Sequence, residues 1–242
     1  DMCRDSLARM RRGLDAVATD PDVFEAFCFM NKAMHLQAVQ ARAIDERKRT
    51  GIYKEWSAPA KNAGPKWRPF QIAFILQALP GVVDNNNHDR EILDLLWVPT
   101  GGGKTEAYLG LTALTIGLRR LRSRRKVLNE YAGVSVLMRY TLRLLTIQQF
   151  QRATRLICAC EVIRERDESK WGTEPFLIGL YVGRDTTPND IGNPNDYEKG
   201  NDDTAWYALK HWERKRKVPS SHNPFQLLSC PWCGEEFKRD SY

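Results

Sequence analysis

The 242-residue chain has no uninterrupted run near the roughly 20 apolar residues that a membrane-spanning helix needs. Its first twenty residues, DMCRDSLARMRRGLDAVATD, are too polar for a secretory signal. A cytoplasmic protein with no membrane partner is the expectation that follows. Cysteine is scarce too: Cys3, Cys28, Cys158, Cys160, Cys230 and Cys233 are too few and too unevenly spread for a disulfide framework, and only the last two stand at CxxC spacing. Neither sign of charge is missing. The 37 Lys+Arg and 30 Asp+Glu residues are interspersed, and with 42 % hydrophobic residues they exclude a wholly disordered chain and a coiled coil. What remains is globular material for one domain and something smaller, with a net charge of +7 suited to a polyanionic partner. The sequence opens on Asp1 and stops just after a CxxC, so it reads as part of a longer chain.

Residues 1–48 are rich in helix formers, with Pro21 as the only strong breaker, and predict a helical N-terminal region. Residues 49–66 collect Gly, Pro, Ser and Asn and read as a connecting loop. WRPFQIAFILQALPGV then predicts a helix ending near Pro80-Gly81. Three apolar runs follow at intervals: EILDLLWV (91–98), VSVLMRY (134–140) and FLIGLYVG (176–183). Each reads as a buried strand, and the two helical patterns between them make a β-α-β-α-β order, expected to form a parallel sheet covered by helices. The polar, turn-rich segment after Gly183 predicts an extended loop, and a basic run and the CxxC follow it.

WVPTGGGKT is the strongest signal in the chain. Three consecutive glycines let the backbone fold around phosphate oxygens, and the helix that follows adds its positive end. In such a loop Lys104 reaches the β- and γ-phosphates and the Thr105 hydroxyl completes the coordination of a nucleotide-bound Mg²⁺, so both are the candidate catalytic residues. Thr100, Gly101, Gly102 and Gly103 form the cradle. Val98 stands where the strict pattern has its first glycine, a substitution common in helicase-type loops. Upstream, Arg68-Pro69-Phe70-Gln71 adds Arg68 and Gln71 as nucleotide-binding candidates, because an amide that both donates and accepts matches the N6 and N7 edge of adenine. An ordinary polar residue at a helix start is the alternative for Gln71.

Downstream, MRYTLRLLTIQQF opens the second helix, so that Arg139, Thr141 and Gln148 can face a phosphate backbone. Gln148 and Gln149 on a solvated helix face would explain the same residues. Together, RPFQ, PTGGGKT and the segment from Tyr140 to Phe150 resemble the first RecA-like domain of superfamily-two helicases. More narrowly, PTGGGKTEAYLGL and VLMRYTLRLLTIQQFQRATRLICACE resemble the helicase subunits of bacterial DISARM anti-phage systems. The resemblance covers residues 65–235 and implies an α/β, RecA-like fold with a parallel sheet and flanking helices. It implies three parts: a helical region and linker (1–64), the first RecA-like ATP-binding domain, in part (65–190), and a cysteine-bearing insertion (191–242). It further implies ATP and Mg²⁺ as cofactors, an ATP-dependent DNA helicase or translocase activity, and DNA and other defence-system subunits as partners. Gln71 would then sit on adenine, and Thr187, followed by Pro188, would lie in a further backbone-binding loop. A Thr-Pro pair that simply starts a helix is the competing reading.

One element of the pattern is missing. Such ATPases place an Asp-Glu pair at the end of a later apolar strand, for Mg²⁺ and for activating water; Asp45-Glu46 precedes the phosphate loop, and Asp167-Glu168 follows a polar helix end and reads as surface charge. A non-catalytic scaffold that binds nucleic acid and partners, with a structural phosphate loop, is therefore the rival reading. Cys230-Pro231-Trp232-Cys233-Gly234 has the turn chemistry of a zinc knuckle, and these two thiols read as half of a tetrahedral Zn²⁺ site, with two free thiols as the alternative. The basic run from Arg119 to Lys126 is expected to offset a helix dipole and present a solvated face, with nucleic-acid contact as the lesser reading, and the same holds for Arg214 to Lys217.

Overall fold

Asp20 and Pro21 set the first architectural boundary. The Asp20 carboxylate accepts the backbone N–H groups of Asp22 (2.8 Å) and Val23 (3.3 Å), and Pro21 occupies the first helical position, so the chain ends one helix and starts another within two residues. The computed structural model describes residues 2–52, 65–99, 101–125, 133–140, 143–183, 187–188, 190–215 and 226–237. Its helices are α1 (Met2–Thr19), α2 (Pro21–Thr50), α3 (Pro69–Val83), α4 (Lys104–Arg125), α5 (Arg143–Arg166), α6 (Glu168–Trp171), α7 (Asp196–Lys199) and α8 (Ala205–Lys215), with a 3₁₀ turn at His88–Glu91. The chain divides into two compact units: residues 1–138 with 155–177, and residues 139–154 with 178–242.

In the first unit α1 packs on α3 and α2 on α4. Val23, Ala26, Phe29, Met30, Ala33 and Met34 recur at helical spacing on one face of α2 and are buried, as are Leu109 and Leu114 of α4 and Ile75 and Leu79 of α3. Phe29 anchors this core, with its ring centroid 4.4 Å from Trp171 and 5.8 Å from Phe176. The N-terminal helices thus belong to the same unit as the glycine loop. The helix predicted to end near Pro80 runs on to Val83, because a proline removes one N–H without forbidding the turns on either side.

The second unit is built around Asp196. Its carboxylate accepts the Asn193 backbone N–H (2.7 Å) and side-chain amide (3.0 Å), which fixes the turn before α7. Tyr207 and His211 of α8 stack at 6.0 Å, and Tyr197 of α7 lies 5.2 Å from Tyr207.

The expected parallel sheet is absent from the described residues, which contradicts the RecA-like α/β fold. Among the described residues there is no strand, only the isolated bridges Asp190 to Thr204 and Ser229 to Glu236. A strand exists only when its backbone N–H and C=O groups pair with a neighbour, and apolar side chains by themselves cannot supply one. Residues 92–99, 133–140 and 175–183 lie outside helices and strands, and apolar side chains of each stand in solvent: Leu93 (94 % exposed), Leu95 and Trp97, then Leu137, then Leu177 and Tyr181. Side-chain anchors hold them instead. Asp94 is tied to Arg9 and Gln77, Ser135 to Arg119, and Phe176 to the Phe29 core.

Candidate phosphate-binding site

The glycine loop stands between an anchored segment and a helix start. Arg9 of α1 donates to both carboxylate oxygens of Asp94 (2.6 and 2.8 Å), and Gln77 of α3 donates to the same group (2.9 Å). These bonds fix the segment four residues before Val98. Arg9 also lies 3.3 Å from Asp89, whose side chain is almost completely buried and which Arg12 contacts at 3.0 Å. The hydrogen bond from Arg9 holds the Asp94 carboxyl below its ordinary range, against the opposing effect of burial. For Asp89 burial pushes upward, but Arg12 and Arg9 outweigh it, and the net direction is again down.

On the far side of the loop α4 begins at Lys104, directly after the three glycines, so its N-terminal end meets the loop. Lys104 Nζ turns back to the carbonyls of Val98 and Pro99, the latter at 3.1 Å. Arg68 donates to the Gly102 carbonyl (2.7 Å). The Gln71 amide accepts the Arg68 backbone N–H (2.8 Å) and donates to the Gly103 carbonyl (2.8 Å), and the residue is buried. Sequence reasoning set Gln71 against an adenine; in the structure both ends of its amide shape the loop.

The cradle is as tight as a backbone-lined anion site has to be. A Cβ on Gly103, whose φ is +93°, would lie 2.8 Å from the Gln71 amide nitrogen, and one on Gly102 would lie 2.7 Å from a Val98 methyl. Gly101 (φ +77°) has open space where a side chain would begin. Thr105 follows Lys104 in the first turn of α4 and is partly exposed. Backbone without side chains, a helix start and an ammonium are donors of the kind that hold anions, although here Lys104 is given to the Val98 and Pro99 carbonyls and the Gly102 N–H to the Pro99 carbonyl (3.0 Å). Thr100 lies outside the described residues.

The residues expected on a nucleic-acid strand are less gathered. Arg139 and Gln148 are exposed in the second unit, and Thr187 is partly buried there, with its N–H on the Gly183 carbonyl (3.4 Å). Thr141 lies outside the described residues. The Cys230 segment does form a tight hairpin: Cys230 N–H donates to the Glu235 carbonyl (2.7 Å), Gly234 N–H to the Cys230 carbonyl (2.8 Å), and Gly234 is left-handed at φ +73°. No group of three or more His, Cys, Asp or Glu side chains among the described residues is placed to hold a metal, so no further ligand for Cys230 and Cys233 is found among those residues.

The solvated face expected of the Arg119 run is corrected in its first half. Arg120 is 6 % exposed, donates to the carbonyls of Trp171 (3.1 Å) and Glu174, and stacks 4.3 Å over the Phe176 ring. Arg119 donates to Val134 O and Ser135 Oγ, and Arg122 pairs with Asp20 at 3.0 Å. Arg214 pairs with Glu198 at 2.9 Å and lies over Tyr197; Lys126, Arg216 and Lys217 lie outside the described residues. Asp167 caps α6 through the Lys170 N–H, a structural use of what reads as surface charge. Sequence reasoning missed Arg9 and Asp94 altogether. The available signal was Asp94 itself, an acid in the middle of the apolar run EILDLLWV, which needs a partner once its neighbours pack.

The candidate site is thus a glycine loop followed directly by a lysine at a helix start. No protein-family model matches the chain. It is similar to the DISARM protein DrmA of Bacillus paralicheniformis, with 41 % identity over 237 residues that cover 96 % of this chain. Those residues are 20 % of that protein, so the chain spans about a fifth of the length of the curated relative it matches. The identity relates this chain to the DISARM systems. No helix among the described residues is long and apolar enough to cross a membrane.

Proposed function

We propose that the chain is the nucleotide-binding part of an ATP-dependent DNA helicase or translocase acting in anti-phage defence of the DISARM type. The observation that carries the reading is the glycine loop at 101–103, with its lysine at the first position of α4 and its carbonyls held by Arg68 and Gln71. In this reading the loop N–H groups and the α4 N-terminus bind the phosphates. Lys104 leaves the Val98 and Pro99 carbonyls for the β- and γ-phosphate oxygens, and Thr105 contributes its hydroxyl to Mg²⁺. ATP supplies the free energy for movement, and Arg139, Gln148 and Thr187 contact a DNA backbone without reading its sequence. The similarity to DrmA supports the defence setting and other DISARM subunits as partners.

The test is ATP hydrolysis by the intact protein, with and without single-stranded and double-stranded DNA, beside Lys104→Ala. DNA-stimulated turnover that falls at least about a hundredfold in the variant supports a motor. Equal turnover in the variant overturns it. Nucleotide binding without hydrolysis under any DNA condition leaves a scaffold whose loop holds nucleotide structurally.

A further inference from the structure

A second site lies in the helical unit, apart from the glycine loop. A cavity of about 710 Å³, open on one side, separates α2 from the end of α5 and from α6. That volume is within the roughly 300–1,000 Å³ of pockets that take small ligands. Its lining mixes polar residues, among them Asn31 and His35, with an apolar patch of the half-buried Cys28, Leu36 and Ile163, behind which Phe29 and Trp171 are buried. The charged residues around it do not cancel. Glu25 is paired with Lys170, which also lies 5.5 Å over the Trp171 ring. Asp167 accepts the Lys170 backbone N–H (3.1 Å) and the Ser169 hydroxyl (2.6 Å). Lys32 and Arg166, both exposed and both lining the cavity, have no carboxylate partner among the described residues.

With Lys32, Arg166 and Lys170 against Glu25 and Asp167, the lining carries one net positive charge beside its apolar patch, and that combination favours one ligand chemistry. A neutral apolar molecule would leave the cations unused, and a bare inorganic anion would leave the patch wet. We infer that the cavity binds a small amphiphilic anion: an aromatic body against the Cys28, Leu36 and Ile163 patch, with a carboxylate or sulfonate head at Lys32 and Arg166. The head gains charge-assisted hydrogen bonds and the body gains burial, so the two parts select each other. None of these residues takes part in the phosphate loop, and the site stands whether or not that loop hydrolyses ATP.

The probe is 8-anilinonaphthalene-1-sulfonate on the intact protein, followed by its fluorescence, with the uncharged N-phenyl-1-naphthylamine as the analogue without a head group. Because Cys28 lines the cavity, site-resolved alkylation by iodoacetamide reports occupancy, and the exposed Cys3 serves as the reference. The sulfonate is expected to slow alkylation of Cys28 and leave Cys3 unchanged. In the variant Lys32→Glu/Arg166→Glu its affinity is expected to fall about tenfold or more, with the uncharged analogue unaffected. Both positions are exposed, so the thermal midpoint of that variant should stay within a few degrees of the parent and separate lost binding from lost folding. Cys28 alkylation at an unchanged rate under saturating sulfonate overturns the inference. So does a charge-reversed variant that binds the sulfonate as the parent does, or that loses both compounds equally.

Discussion

Arg9 and Asp94, 85 residues apart, meet through both ends of the guanidinium at 2.6 and 2.8 Å. The pair joins the first helix to the segment that leads into the glycine loop. Arg9 is 7 % exposed, and Asp89 beside it is buried as well, so its removal leaves two carboxylates with too little positive charge. Breaking a buried pair by deleting one partner costs about 3–5 kcal/mol. Arg9→Ala should lose that much in chemical denaturation, and Arg9→Ala/Asp94→Ala less than the sum of the single variants, since the orphaned charge is then gone.

The same cluster sets a pH dependence. Asp89 and Asp94 are both held below their ordinary values, so they bind protons more weakly folded than unfolded. Their contribution to stability is complete above the unfolded value of about 3.9 and is lost as pH falls through the lower folded values. Denaturation midpoints measured from about pH 7 to about pH 2 should drop below pH 4. Asp94→Asn should start lower and fall less steeply; a parallel curve would refute the assignment.

Much of the helical architecture could be read from the sequence, and the sheet could not. Helix signals are local: Asp20-Pro21 states where α2 starts, and the spacing of Val23, Ala26, Met30 and Ala33 states which face is buried. Strand signals are not. EILDLLWV carries the composition of a buried strand, yet a strand is defined by a partner elsewhere, and Leu93, Leu95 and Trp97 stand in solvent. The site follows the same division. PTGGGKT is contiguous, so its loop-to-helix arrangement was legible, whereas Arg9 and Asp94 meet only through folding. Arg120 was misread for the same reason: a run of arginines looks solvated until a ring such as Phe176 is known to lie beneath one of them.

The loop itself offers a sharper test than its lysine. At φ +93° Gly103 is in the left-handed region, and an added Cβ would lie 2.8 Å from the Gln71 amide nitrogen that holds the Gly103 carbonyl. Gly103→Ala should therefore weaken nucleotide binding about tenfold or more, read by titration with a fluorescent ATP analogue, and cost about 1–3 kcal/mol of stability from the strain at the loop. Gln71→Glu should act in the same direction, because a carboxylate oxygen would face the Gly103 carbonyl where a donor now stands. Unchanged affinity in both would mean that this geometry is not what binds the phosphates.

Arg120 makes a separate stability prediction. It supplies the donor for the carbonyls of Trp171 and Glu174 from within the core. Arg120→Met keeps the apolar stem against Phe176 and removes the donors, at about 1–3 kcal/mol for each carbonyl left without a partner. Amide exchange in residues 171–176 should rise in that variant, ahead of exchange in α2.

Gly13 of α1 lies against the backbone of α3. Pro80 has no N–H, so the Leu76 carbonyl four residues earlier lacks its usual helical donor. Gly13 lies against that carbonyl: an added Cβ would come within 2.0 Å of the Leu76 oxygen and 2.8 Å of its carbon. These are backbone atoms of a packed helix and cannot swing aside as a side-chain end could. Gly13→Ala would stabilise an isolated helix by about 1 kcal/mol, yet here it should destabilise the protein by about 2 kcal/mol or more, because α1 must move off α3. Leu14→Ala, one residue on and 55 % exposed, is the control and should change stability by less than about 0.5 kcal/mol. If Gly13→Ala instead raised the denaturation midpoint, helix propensity would outweigh the contact, and α1 would not pack against α3 at this glycine.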